Sequence, residues 1–217
     1  REAAGVSTGQ VTFTPEPIVN AGSNVTVCAN NPTVQLNGSV FGSTTTGIWS
    51  SSGTGVFSPN DSDLNATYIP SDADIVIGNL IISLTATNAC PIADSIFVSI
   101  TLSPNVNAGA DQFHCTGSML VDLTGVISGG SNSGIWSTTG SGTFTNDTAL
   151  ITTYVPSTTD TVLGNISIIL TSTNNGTCLA ESDTVSISFL PPAIANAGND
   201  TTICANVSLN LNGAISG

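Results

Sequence analysis

One segment recurs three times along the chain, and this recurrence limits the fold more than any other feature. The copies begin at Val19, Val106 and Ala195. Each has Asn-Ala-Gly, a cysteine a few residues later, and an alternating stretch that ends in Leu-x-Gly. The cysteines of these copies, Cys28, Cys115 and Cys204, are 87 and 89 residues apart. A fixed period of this size indicates an array of similar small domains.

The period also predicts the domain boundaries. Residues 1–17 are expected to hold the last strand of a preceding repeat, and residues 18–103 and 104–192 form repeats 1 and 2. Residues 193–217 hold the first strands of a third, incomplete repeat. Prolines before each Asn-Ala-Gly mark the joints, because proline donates no backbone hydrogen bond and ends a strand. We expect the natural chain to continue on both sides as a longer array.

Within each repeat the apolar residues alternate with polar ones, as in half-buried strands, and we found no helical period. About seven short strands per repeat predict an all-β fold of tandem immunoglobulin-like β-sandwiches, about 88 residues each. A glycine-rich stretch, Ser52 to Gly55, predicts a hairpin between the strands on either side of it.

Four aromatic residues hold equivalent places in the two repeats. Trp49 and Trp136 are predicted to lie in the core with Tyr68 and Tyr154. The alternative for the tryptophans is a sugar-stacking platform, which requires an exposed ring beside polar groups.

The charge is strongly one-sided, with 14 acidic residues against one basic residue, Arg1. A net charge of -13 repels phosphate, so the sequence predicts no nucleic-acid partner. No apolar run approaches the roughly 18 residues that span a membrane, so we expect no membrane insertion by this segment. Without lysine, Schiff-base chemistry is excluded.

Cysteines occur twice per complete repeat, which favours disulfides and an oxidising compartment. We expect Cys28–Cys90 and Cys115–Cys178 bonds within the repeats, and a partner outside this chain for Cys204. Pairing across repeats, such as Cys90 with Cys115, is the alternative. Zinc is disfavoured because there is no C-x-x-C spacing and His114 is the only histidine.

Few residues suggest chemistry. His114 lies beside Cys115, but Val27 and Ile203 hold its place before the equivalent cysteines, so a strand residue is the simpler interpretation. With no Ser-His-Asp set and no shared carboxylate pair, we predict that the chain is not an enzyme. No cofactor is expected apart from a weak calcium alternative to solvated loops, with the carboxylates of Asp61, Asp63, Asp72 and Asp74 as ligands.

The combined pattern resembles a known kind of repeat. Its motifs are Asn-Ala-Gly, Cys, Leu-Asn-Gly, Gly-Ile-Trp-Ser, Thr-Tyr-x-Pro and Leu-Thr-x-Thr-Asn. They resemble the PKD-like and Ig-like tandem repeats of large secreted surface proteins of Bacteroidota-type bacteria, including type IX-exported gliding and adhesion proteins. The Trp-Asp-Phe-Gly-Asp-Gly signature of typical PKD domains is replaced by Trp49-Ser50 and Trp136-Ser137.

This resemblance implies an extracellular structural region, a stalk or filament at the cell surface that supports adhesion. Its partners would be neighbouring repeats of the same chain. The strands rich in threonine and valine also predict that exposed sandwich edges pair between chains, so that rods assemble into fibres. The alternative is a spacer or carbohydrate-binding array attached to a secreted enzyme. The resemblance also implies O-glycosylation at Asp-[Ser/Thr] steps, for which ordinary strand-edge residues are the alternative. The candidates are Ser95, Thr148, Thr161, Thr184 and Thr201.

Overall fold

The structure is a computed structural model that describes Gly9 and residues 13–88, 91–116 and 120–216. The chain divides into two compact units. Unit 1 comprises residues 1–103 together with the short segment Thr177–Leu179. Unit 2 comprises Pro104–Gly176 and Ala180–Gly217. The division at Ser103 and Pro104 falls at the joint expected between repeats 1 and 2.

Unit 1 is a β-sandwich with one short helix. Its larger sheet has the order β2-β9-β8-β5, in which β2 runs parallel to β9 and the other pairs are antiparallel. The second layer has the order β3-β7-β6, and β1 pairs with β4. The elements are β1 (Ile18–Asn20), β2 (Val25–Cys28), β3 (Val34–Gln35), β4 (Ser39–Phe41), β5 (Gly47–Ser51), β6 (Val56–Ser58), β7 (Thr67–Ile69), α1 (Asp72–Ile77), β8 (Asn79–Ala86) and β9 (Ala93–Thr101).

Unit 2 repeats this topology strand for strand. Its larger sheet has the order β11-β18-β17-β14, with β11 parallel to β18, and its second layer has the order β12-β16-β15. The first strand, β10, pairs with β13. The elements are β10 (Pro104–Asn107), β11 (Gln112–Cys115), β12 (Val121–Thr124), β13 (Val126–Gly129), β14 (Ser133–Thr138), β15 (Thr143–Phe144), β16 (Ile151–Val155), α2 (Thr158–Leu163), β17 (Asn165–Thr173) and β18 (Ser182–Leu190).

The two ends of the chain hold little regular structure within the described residues. The last copy of the repeated segment contributes β19 (Ile194–Asn196), which pairs with β20 (Ala214–Ser216) as β1 pairs with β4. The strand expected within residues 1–17 falls mostly outside the described residues, and residues 13–17 are not in a strand.

Each unit has its own hydrophobic core, formed by the inward-facing residues of both layers. Both tryptophan rings, Trp49 and Trp136, are only 2% exposed, and both tyrosines are fully buried. Each indole Nε1 donates to a loop carbonyl at 3.0 Å, from Trp49 to Asp63 and from Trp136 to Ala149. A buried indole must find such an acceptor, so these loops close the ends of the cores. The all-β, tandem immunoglobulin-like fold is confirmed.

Two local features differ from the sequence-based expectation. The predicted hairpin between β5 and β6 does not form, because β5 pairs with β8 in one layer and β6 pairs with β7 in the other. The glycine-rich stretch therefore crosses between layers. The chain also contains two short helices, α1 and α2, where no helical period was found. Six residues are too few to show a helical period in the sequence.

Candidate functional sites

A buried tyrosine–aspartate pair appears at the same place in both units. The hydroxyl of Tyr68 donates to Oδ2 of Asp74 at 2.9 Å, and that of Tyr154 donates to Oδ2 of Asp160 at 2.7 Å. Each tyrosine is the penultimate residue of a strand of the second layer, and each aspartate lies in the first turn of the short helix that follows. A phenylalanine of the neighbouring strand packs on each tyrosine, with ring centroids 5.0 and 5.1 Å apart.

Each aspartate is placed by the beginning of its helix. The N-cap Ser71 accepts a hydrogen bond from the backbone N–H of Asp74, and Ser71 donates its own N–H to the Asp74 carboxylate at 3.0 Å. Ser157 and Asp160 form the same reciprocal pair. This capping box satisfies backbone groups at the helix N-terminus that otherwise lack partners. A glycine in the left-handed conformation, Gly78, ends the first helix, where a Cβ would be strained.

The glycine-rich crossover completes the network around each carboxylate. In unit 2, Oδ1 of Asp160 accepts from the N–H of Ser141 at 2.7 Å, and Oδ2 accepts from the N–H of Gly142 at 3.0 Å. In unit 1, Asp74 accepts from Thr54 and Gly55, both at 2.9 Å. Each carboxylate thus joins three elements: the crossover, the strand of the tyrosine and the helix.

The surroundings hold both carboxylates ionised. Burial alone would raise the pKa of Asp160, but the N–H donors of Ser141 and Ser157 and the Tyr154 hydroxyl outweigh it and lower that pKa to about 2. The pKa of Asp74 is lowered for the same reasons. Burial, followed by the neighbouring carboxylate, raises the pKa of Tyr154. A tyrosine that stays neutral beside an aspartate that stays charged suits a structural hydrogen bond and not proton transfer.

Asp74, one of the four candidate calcium ligands, is already engaged in hydrogen bonds. Four donors already surround the Asp74 carboxylate: Gly55, Tyr68 and Ser71 bond Oδ2, and Thr54 bonds Oδ1. A cation would therefore compete with a built hydrogen-bond network for these oxygens. Asp63 accepts from the N–H of Asn65 through Oδ1 at 2.9 Å. Among the described residues, no group of three or more His, Cys, Asp or Glu side chains could hold a metal ion.

The Asn-Ala-Gly joints form a second recurrent structure. In unit 1, the N–H of Ala21 donates to Asp94 at 2.8 Å, and in unit 2 the N–H of Ala108 donates to Asp183 at the same distance. The asparagine side chain accepts from the glycine N–H two residues later, and all three glycines have positive φ. An Asx turn followed by a left-handed residue explains why asparagine and glycine recur at these positions.

The structure also places the O-glycosylation candidates. Ser95, Thr148, Thr184 and Thr201 are exposed, whereas Thr161 is half-buried in α2 and donates to the carbonyl of Thr158. The hydroxyl of Ser95 lies 2.8 Å from that of Ser83 on the outer face of the larger sheet. Asp94 and Asp183, which precede Ser95 and Thr184, are the residues that hold the joints.

The disulfide pairing corrects the sequence-based prediction. Cys28 is bonded to Cys178, and both cysteines belong to unit 1 because the segment Thr177–Leu179 belongs to it. Cys28 therefore cannot pair with Cys90, which lies outside the described residues. Cys115 and Cys204 are exposed free thiols, so the predicted Cys115–Cys178 bond is also absent.

Strand register explains why Cys115 cannot reach Cys178 within its own repeat. Cys115 lies opposite Leu190, the last residue of β18, whereas Cys178 precedes the first residue, Ser182. The strand spans about 26 Å, and the chain between Cys178 and Ser182 recovers at most about 14 Å of it. The remainder, about 12 Å, exceeds the Cα separation of a disulfide by several ångströms.

An asparagine holds the bonded segment beside the disulfide. The Nδ2 group of Asn30 donates to the carbonyl of Leu179 at 3.1 Å, and Oδ1 of Asn30 accepts from the N–H of Leu179 at 3.1 Å. The amide thus pairs with both backbone groups of the residue that follows Cys178. Sequence reasoning missed this contact, although Cys-Ala-Asn occurs at both Cys28 and Cys204.

His114 has no catalytic arrangement in the described contacts. Its Nε2 lies 2.8 Å from Oε1 of Gln112, on the same strand.

No helix within the described ranges is long and apolar enough to cross a membrane.

Comparison with known proteins gives structural neighbours only. No protein-family model and no curated protein matches the sequence. Titin I-band domains I67–I69 match 83% of this chain and 68% of their own at 12% identity, with a TM-score of 0.48. Extracellular domains 3–5 of Drosophila OTK match 83% of this chain and 62% of their own at 14% identity, with a TM-score of 0.43. The insect immune protein hemolin matches 83% of this chain and 48% of its own at 11% identity, with a TM-score of 0.45.

These matches are to proteins with immunoglobulin-like domains, and none of the three TM-scores reaches 0.5. The immunoglobulin-like assignment of this chain therefore stands on the strand order of its two units. The chain spans less than two thirds of the OTK fragment.

Proposed function

We propose that this chain is a structural region of an extracellular bacterial surface protein, in which tandem immunoglobulin-like domains form a stalk or filament that supports adhesion. The observation that carries the proposal is one sandwich topology built twice in succession, with a disulfide 150 residues in span. Such a bond persists in an oxidising environment outside the cytosol. The resemblance to repeats of Bacteroidota-type, type IX-exported surface proteins points in the same direction.

The buried networks support a mechanical role over a catalytic one. The carboxylate of each Tyr–Asp pair accepts at least four hydrogen bonds, and each pair joins three segments of its own sandwich. The alternative function is a carbohydrate-binding or spacer array on a secreted enzyme. The tryptophans were its candidate sugar-stacking residues, but both are buried and cannot stack on a sugar. We therefore propose that this region has no enzymatic activity of its own.

Surface features of the chain suit an extracellular array. With one basic residue in 217, trypsin-like proteases find almost no cleavage site. Exposed Ser95, Thr148, Thr184 and Thr201 offer hydroxyls for glycans, and we propose that some of them are modified. The mass of peptides from native material tests this proposal. Unmodified masses at all four positions would contradict it.

Negative-stain electron microscopy of the native, full-length material tests the main proposal. We expect long filaments with an axial repeat near one domain length, about 35–40 Å for strands of roughly ten residues. Isolated rods that end in a globular head would contradict it and would assign the function to the head.

Assembly of chains into fibres needs its own test. Strands β5 and β14 end their sheets and carry the exposed apolar residues Ile48 and Ile135. Exposed sheet edges can pair between chains, and a lysine on the edge opposes that pairing. Ile48→Lys and Ile135→Lys should shorten the filaments, whereas Ser62→Lys, which adds the same charge in an exposed loop, should not. Equal filament length in all variants would exclude assembly through these edges.

A further inference from the structure

Two cysteines that hold the same place in their units differ in what surrounds them. Cys28 ends β2 and lies opposite Thr101 at the end of β9, and Cys115 ends β11 and lies opposite Leu190 at the end of β18. Cys28 is bonded and 0% exposed, whereas Cys115 is an exposed free thiol. We call Cys28, Cys115 and Cys204 the leading cysteines, and Cys90 and Cys178 the loop cysteines.

The backbone around the free thiol already has the form found at the bonded one. The N–H of Ala29, which follows Cys28, donates to the carbonyl of Thr101 at 2.8 Å. The N–H of Thr116, which follows Cys115, donates to the carbonyl of Leu190 at 2.9 Å. Cys28 and Cys115 are thus fixed at the end of a parallel strand pair by the same hydrogen bond. Unit 2 presents a built site whose sulfur has no partner in the described chain.

The bonded site shows which ligand fits. The sulfur of Cys28 bonds Cys178, a loop cysteine whose sequence position is in the repeat after that of Cys28. Asn30 pairs with both backbone groups of Leu179, and these two contacts do not depend on the side chain that follows the cysteine. The requirements are therefore a thiol and, after it, a residue whose backbone N–H and carbonyl can pair with a side-chain amide.

We propose that Cys115 is a covalent acceptor for the loop cysteine of a further immunoglobulin-like repeat, so that disulfides run from the leading cysteine of one repeat to the loop cysteine of the next. The link would recur once per repeat in an array. The Cys204-Ala205-Asn206 sequence repeats Cys28-Ala29-Asn30 and would supply the same acceptor, asparagine included, in the third repeat. This inference rests on the repeat architecture and is independent of the adhesive role.

The bond formation balances with a small-molecule disulfide such as oxidised glutathione as oxidant. The Cys115 thiolate attacks one glutathione sulfur, forms a mixed disulfide and releases one glutathione thiolate. The thiolate of the loop cysteine then attacks the Cys115 sulfur and displaces the second glutathione. Two protein thiols lose two protons and two electrons, and one oxidised glutathione becomes two reduced ones.

A chain in which residues 104–192 occur twice in tandem, with Cys115→Ser in the added copy, tests the proposal. The added copy presents a second Cys178 to Cys115 at a separation close to the 150 residues of the observed pair. The protein is oxidised with glutathione, free thiols are blocked with iodoacetamide, and the chain is digested with pepsin, since trypsin finds only Arg1. We expect a peptide that joins Cys115 to the added Cys178, alongside the unchanged Cys28 to first Cys178 pair.

The control carries Cys178→Ser in the added copy only, and in it Cys115 should be alkylated. A Cys115 that is alkylated in the intact tandem chain, or bonded to the Cys178 of its own repeat, would overturn the proposal. Retention of the Cys28 pair in the same digest shows that the chain has folded.

A second measurement uses the unchanged chain. A peptide of residues 174–182, activated as the 2-pyridyl disulfide at its cysteine, is added and its attachment sites are mapped by mass. We expect attachment at Cys115 about fivefold faster than at Cys204, because the strand pair that forms the acceptor is present only around Cys115. A scrambled peptide should lose this preference. Equal rates at both thiols with the natural peptide would count against a built acceptor.

Discussion

The hydroxyl of Tyr154 donates to Oδ2 of Asp160 at 2.7 Å, six residues further along the chain, and both side chains are fully buried. Tyr68 and Asp74 repeat this relationship at 2.9 Å in the other unit. A buried charge is tolerable only when it is well paired with donors. Each pair is accordingly the centre of a hydrogen-bond network that ties the second layer of its sandwich to the short helix.

Replacing this charge should destabilise unit 2 strongly. Asp160→Asn puts an amide NH₂ among the N–H donors of Ser141, Gly142 and Ser157 and leaves some of them unpaired. We expect the free energy of unfolding to fall by about 3 kcal/mol, measured by denaturant titration. Asp147→Asn, a change of the same kind in an exposed loop, should shift it by less than about 0.5 kcal/mol. Equal effects of the two substitutions would show that the network contributes little.

Stability should fall in acid because of the same group. The pKa of Asp160 is about 2 in the folded protein, against 3.8 for the ordinary carboxyl. Because the folded pKa is the lower one, the stabilisation is present in full above about pH 4 and is lost as the pH falls toward 2. The difference corresponds to about 2 kcal/mol. Denaturant titrations between pH 2 and 6 measure it, and an acid slope unchanged in Asp160→Asn would contradict the assignment.

The glycine-rich crossover leaves no room for a side chain. A Cβ on Gly142 would collide with the carbonyl oxygen of Val155 and lie 2.6 Å from the Tyr154 hydroxyl. We therefore expect Gly142→Ala to lower the thermal midpoint, at a cost of about 2–3 kcal/mol. Gly9→Ala, where a Cβ meets nothing within 4 Å, provides the control. A midpoint that stays the same in Gly142→Ala would mean that the crossover shifts freely.

Removing one leading cysteine should have an effect that removing the other does not. In Cys28→Ser, Cys178 loses its partner and should become reactive toward iodoacetamide without reduction. In Cys115→Ser, Cys178 should remain protected, since Cys115 is not bonded to it. Mass spectrometry of alkylated peptides distinguishes the two variants. Protection of Cys178 in Cys28→Ser would instead indicate a pairing with another cysteine.

Much of the fold could be predicted because its signals are local and occur twice. Alternation around Val34, Leu84 and Leu170 marks strands with one buried face, and Trp49 and Trp136 recur at equivalent places, as core residues do. The short helices escaped prediction because six residues show no period. Their capping boxes, Ser71 to Asp74 and Ser157 to Asp160, followed by Gly78 and Gly164, were the available signal.

The candidate site was harder to predict from the sequence, because its residues are joined by tertiary hydrogen bonds that sequence spacing does not indicate. Asp74 was interpreted as a solvated loop residue or a calcium ligand, but its carboxylate accepts from Ser71 and Tyr68 nearby in the chain and from two N–H groups about 20 residues away. The glycine-rich stretch looked like a hairpin turn. It crosses between the layers because its N–H groups bond a carboxylate about 20 residues away instead of a facing strand.

The sequence by itself determined the repeat, its period, the β-sandwich class and the aromatic core, because hydrophobic periodicity and turn residues act over a few neighbouring positions. Only the tertiary structure decided which cysteine bonds Cys28. Nearly equal spacing of the two cysteines within each repeat favoured partners in the same repeat, but a disulfide depends on distance in space. Because β2 pairs in parallel with β9, Cys28 lies beside the last residue of β9, and Cys115 lies in the same way beside the last residue of β18. The loop cysteine of the same repeat precedes the first residue of that strand, so the length of the strand separates the two cysteines.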